Sequence, residues 1–67
     1  MTTNQSRNWP PQDQWPTFLF CRHDGAGNAV FYPVALPNES EVLPNIKCNP
    51  STIKVTDLEG KVIWSAA

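Results

Sequence analysis

A chain of 67 residues has room for one domain and one modest core, in a size range where burial and chain entropy nearly cancel. Its formal net charge of −1 supplies no field to gather nucleic acid, and not enough acidity to imitate it. No apolar run approaches the roughly 18 residues of a membrane span, and Met1 to Asn8 is polar, without the apolar stretch of a signal peptide. A cytoplasmic location is therefore expected, with Cys21 and Cys48 reduced and no membrane contact.

Residues 1–16 read as a tail, flexible or folded back as a strap. Trp9-Pro10-Pro11-Gln12-Asp13-Gln14-Trp15-Pro16 carries three prolines, which forbid a central strand or a helix and favour extended or polyproline II backbone. Two Trp-Pro steps in such a segment can bring both indoles to one surface. Residues 17–67 are expected to form a single small β domain.

Thr17 to His23 (TFLFCRH) has the β-branched and aromatic content of a strand. The glycines of Asp24-Gly25-Ala26-Gly27-Asn28 permit the turn that follows, and Ala29 to Leu36 returns. Pro33 cannot donate to a ladder, which puts this return strand at an edge or a bulge. Residues 37–50 form a connection with three prolines, in which one short helical turn near 39–43 is expected, capped by Asn38. Thr52 to Thr56 then alternates polar and apolar, with Ile53 and Val55 inward. Asp57 to Gly60 turns, and Lys61 to Ser65 returns with Val62, Ile63 and Trp64.

The two turns share a pattern. Asp24-x-x-Gly27-Asn28 lines up with Asp57-x-x-Gly60-Lys61, with an aspartate to cap the loop and a glycine for its left-handed position. The hairpins differ in their faces. On its first strand Phe18, Phe20 and Arg22 share one face and Leu19, Cys21 and His23 the other, and on its return strand Val30, Tyr32, Val34 and Leu36 oppose Ala29, Phe31, Pro33 and Ala35. Both sides of the first hairpin are largely apolar, so it needs two covers. The tail, a second copy of the chain, or another protein are the candidates for the second.

The fold class that follows is all-β with that one helical turn: a small SH3-like barrel or a twisted antiparallel sheet of two hairpins. Catalysis is not expected. Cys21 and His23 share a face but stand about 6–7 Å apart along a strand, too far for a nucleophile–base hydrogen bond, and Gly25-x-Gly27 is no phosphate loop. The carboxylates fall in turns or the tail, where capping is their ordinary role.

The expected function is a non-catalytic protein-interaction module (adaptor, subunit or inhibitor), self-associating as a homodimer, without cofactor or metal. Partner-binding residues are expected at Trp9, Trp15, Phe31, Tyr32 and Arg22, since tryptophan, tyrosine and arginine concentrate binding energy. An alternative is a β-barrel binding single-stranded nucleic acid through the same aromatics with Arg22 and Lys54. A third is a zinc-stabilised mini-domain using Cys21, His23 and Cys48.

Overall fold

A computed structural model describes residues 9–66; the first half of the expected tail, residues 1–8, and Ala67 lie outside the described residues. Four strands form one open antiparallel sheet: β1 (Thr17–His23), β2 (Ala29–Ala35), β3 (Lys54–Asp57) and β4 (Val62–Ser65), in the order β2-β1-β3-β4. A single α-helix, α1 (Val42–Cys48), lies between the two hairpins in sequence. The chain is thus mostly β, and the two expected hairpins are both present. Pro33 lies opposite Leu19 in the outer strand β2, the edge position where a missing backbone donor does least harm to a sheet.

Both turns are built alike. Asp24 Oδ1 accepts from the amides of Ala26 and Asn28, each at 2.9 Å. Asp57 Oδ1 accepts from Glu59 at 2.8 Å and Lys61 at 2.9 Å. In each loop the aspartate amide donates to the carbonyl four residues on, and the glycine amide donates back to the aspartate carbonyl. Gly27 and Gly60 sit at φ 87° and 90°, a region closed to most side chains. The Asp-x-x-Gly pattern therefore specifies the same loop twice.

The helix runs further than one turn near 39–43. A 3-10 turn at Glu39–Glu41 is capped by Asn38, whose side chain accepts from the Ser40 amide at 3.0 Å, and α1 continues to Cys48. Pro44 is accommodated because it stands in the first turn of α1, where backbone amides have no intrahelical acceptor. Val42 and Ile46, one turn apart, are the residues α1 buries.

They cover one face of the sheet. Its core is Phe18, Phe20 and Val55 from the central strands with Leu36, Val42 and Ile46, and Tyr32, Val34, Ile63 and Trp64 pack around it. Phe20 stands opposite both Tyr32 and Val55, and Val55 is wholly enclosed, at 0 % exposure. A register shift between Val55 and Thr56 lets Val55 pair with Trp64 and Thr56 with Val62. This bulge turns both Ile63 and Trp64 toward the core. The polar positions of the second hairpin are not solvated as the alternation suggests. Thr52 and Thr56 are buried, with hydroxyls donating to the carbonyls of Asn49 and Asp57, so each threonine is satisfied by backbone beside it.

Two outcomes test this architecture. Phe20→Ala, which empties the middle of the core, is expected to cost about 3–5 kcal/mol, whereas Phe31→Ala on the other face is expected within about 0.5 kcal/mol of wild type; urea midpoints followed by circular dichroism compare them, and equal losses would contradict a one-sided core. The second concerns the turn. The hydrogen bond from the Asn28 amide holds the Asp24 carboxyl below its ordinary value of 3.8; desolvation opposes it, and the Ala26 amide adds to the lowering. A carboxyl with a depressed folded-state pKa contributes stability above its unfolded value and loses it as pH falls through the folded one. Acid titration of stability from pH 5 downward (about the range in which carboxylates take up protons) should therefore fall less steeply for Asp24→Ala than for wild type. Parallel curves would remove the cap from the account.

Candidate functional site

The cross-strand register defines what lies on the uncovered side, here called the open face. One row crosses it as Phe31–Cys21–Lys54–Ser65 and the next as Pro33–Leu19–Thr56–Val62, with Ala29–His23 and Ala35–Thr17 beyond them. Along β2, burial alternates at every residue, and Ala29, Phe31, Pro33 and Ala35 are exposed. Phe31 retains 50 % of its surface and Val62 on the opposite edge 52 %. The outer columns of this face are exposed and, Ser65 apart, apolar, while the central positions (Leu19, Cys21, Lys54, Thr56) are half-buried or buried.

Cys21 stands between Phe31 and Lys54 in the same row, and the Lys54 ammonium lies 5.7 Å from the centroid of the Phe31 ring. The two side chains thus meet across the strand that carries Cys21, whose thiol residue is 2 % exposed. A cation over an aromatic face at this distance is weakly attracted by the ring quadrupole, and the stem adds apolar contact along the way.

The structure separates the residues expected to act together. Phe31 is on the open face, but Tyr32, its neighbour in sequence, points to the covered side and packs on Phe20 with ring centroids 5.9 Å apart. Arg22 goes with Tyr32, its guanidinium carbon 5.7 Å from that ring's centroid. The two cation–aromatic pairs therefore occupy opposite faces of the sheet. Trp9 and Trp15 meet each other: their rings pack edge to face with centroids 5.9 Å apart. The Trp15 indole N–H donates to the Pro10 carbonyl at 2.8 Å, closing a small clasp around the 3-10 turn Gln12–Gln14, none of whose residues is buried. The clasp joins the sheet where the Leu36 amide donates to the Pro16 carbonyl, just before β1.

Val62, on the open face, is a residue that strand periodicity does not single out. Val62-Ile63-Trp64 is apolar at every position, so only the bulge decides which of the three faces outward. The signal for Pro33 is its own chemistry, since a proline inside a strand marks an edge.

Chemistry-bearing side chains are dispersed. Cys21 is buried, His23 is exposed at the end of β1, and Cys48 is exposed at the end of α1. Among the described residues no three histidine, cysteine or acidic side chains are grouped to hold a metal ion, and no helix is long and apolar enough to cross a membrane. Comparison with models of known families, with curated proteins and with solved structures finds no significant match.

The Lys54 bridge makes a measurable prediction. With Cys48 replaced by serine, a thiol reagent is expected to label Cys21 slowly in the folded protein, and Lys54→Ala is expected to speed that labelling by about tenfold, since local openings cost less than global unfolding. Unchanged labelling, at an unchanged urea midpoint, would show that the lysine stem does not shield the thiol.

Proposed function

We propose that this chain is a non-catalytic protein-interaction module, an adaptor or subunit that docks a protein partner on the open face of its sheet. The observation that carries the reading is Phe31. A large aromatic side chain stands half exposed on a sheet face whose outer columns otherwise hold Ala29, Pro33, Ala35, Val62 and Ser65, and α1 packs on the opposite side. Contiguous apolar surface of this kind, rimmed by polar residues, characterises binding sites. A sheet that already keeps its form before docking loses little entropy when a partner arrives. The Trp9–Trp15 clasp, stiffened by Pro10 and Pro11, is the second element suited to contact, since tryptophan is enriched where interfaces hold their energy.

Single-stranded nucleic acid is the less favoured occupant. Base-stacking surfaces join several aromatics to a basic track, whereas here Phe31 with Lys54 and Tyr32 with Arg22 lie on opposite faces, in a chain of net charge −1.

Photo-crosslinking in the native host tests the reading. A benzophenone side chain replaces Phe31 in one variant and Leu43 in another; Leu43 is equally exposed, at 53 %, but lies on α1. Cross-links to a defined protein are expected from position 31 and not from position 43. Equal yields from both positions, or none from position 31, would overturn the reading.

A further inference from the structure

The charges around the open face are one-sided, and this identifies the kind of partner it fits. The six carboxylate side chains are Asp13, Asp24, Glu39, Glu41, Asp57 and Glu59. Asp13 belongs to the clasp, Glu39 and Glu41 to the turn before α1, and Glu59 to the second hairpin loop. Asp24 and Asp57 are occupied as turn caps, and Asp57 lies opposite Phe18, on the covered side of the register. None of the six occupies an open-face strand position. That face instead carries Lys54 in its middle row and His23 at one end.

Within the chain, Lys54 meets an aromatic ring rather than a carboxylate. A ring holds a cation far more weakly than a carboxylate does once water is excluded. Covering the face with apolar surface alone would strip water from Lys54 without supplying an acceptor, which opposes docking. A second copy laid face to face has the same defect: it brings apolar side chains and another Lys54, and no carboxylate from the open-face positions of its strands. Like charges brought together in this way oppose association.

We propose that the open face takes a segment of a different protein in which a carboxylate stands among apolar side chains. The apolar groups lie over Phe31, Pro33 and Val62, and the carboxylate draws the Lys54 ammonium off the Phe31 ring. This rests on the open face being the docking surface. It adds the partner's chemistry and assigns Lys54 as the residue that selects it.

The test uses the full chain and three synthetic peptides of equal length and equal leucine and phenylalanine content, with glutamate, glutamine or lysine interspersed, read by fluorescence anisotropy at low salt. The glutamate peptide is expected to bind about tenfold more tightly than the glutamine peptide, the scale of one charge-assisted contact. Lys54→Glu is expected to reverse the order in favour of the lysine peptide, and Phe31→Ser to weaken all three, with folding of both variants checked by circular dichroism. Equal binding of the glutamate and glutamine peptides, or an order that Lys54→Glu leaves unchanged, would overturn the acidic partner while leaving the docking face intact, provided that Phe31→Ser still abolished binding. Binding that Phe31→Ser leaves untouched would remove the docking face as well. Tighter binding to an oligothymidylate, or a dimer in sedimentation equilibrium that Phe31→Ser dissociates, would put nucleic acid or a second copy in the partner's place. Absence of binding to every peptide would also overturn the proposal.

Discussion

Phe20 against Val55, at the centre of the β1–β3 pairing, is the contact that makes one domain out of two hairpins. Neither hairpin is stable alone in water, and each turn organises only its own strands. Joining β1 to β3 places the two most enclosed large side chains side by side and creates a surface broad enough to hold α1. Val42 and Ile46 then close the core from above. Loss of this contact would leave two hairpins and a seven-residue helix, far below the length at which a helix persists by itself.

Having one helix is also the limitation that gives the molecule an open face. A sheet has two sides, and among the described residues one α-helix, α1, is there to cover them. Lys54 and Phe31 meet across the central column of the open side, where Cys21 is buried, but β2 keeps every second residue in solvent. Apolar surface left there is tolerable because it is shared among small side chains, a proline and a single large aromatic.

The relation between the hairpins explains how such a short sequence reaches four strands. β1 and β3 run antiparallel at the centre, and each leads through the same aspartate-capped loop to an outer strand. Cys21 and Lys54, which face one another, both stand three residues before their turn aspartate, so an approximate half-turn about that pair carries one hairpin onto the other. The strands of the first hairpin are longer than those of the second, seven residues against four, and the edges differ as well. Pro33 occupies β2, and the bulge opposite β4 turns Ile63 inward beside Trp64.

Local chemistry determined much of this in advance. The extent of β1, the edge position of Pro33, both turns and the Asn38 cap follow from residue types acting on their immediate neighbours, since φ preferences and side-chain-to-backbone bonds span only a few residues. The doubly apolar character of the first hairpin was legible for the same reason, as alternation is a local property. Tertiary structure alone decided which of its two faces received the cover. It also extended α1 past Pro44 to Cys48, because the reward for forming that helix is burial of Val42 and Ile46 on a distant sheet. The candidate site divided along the same line. Phe31 as a candidate contact residue could be read from its strand, but its outward position, its separation from Tyr32 and Arg22 across the sheet and its meeting with Lys54 could not. That meeting joins β2 to β3 across β1, and strand order is set by the packing of the whole chain.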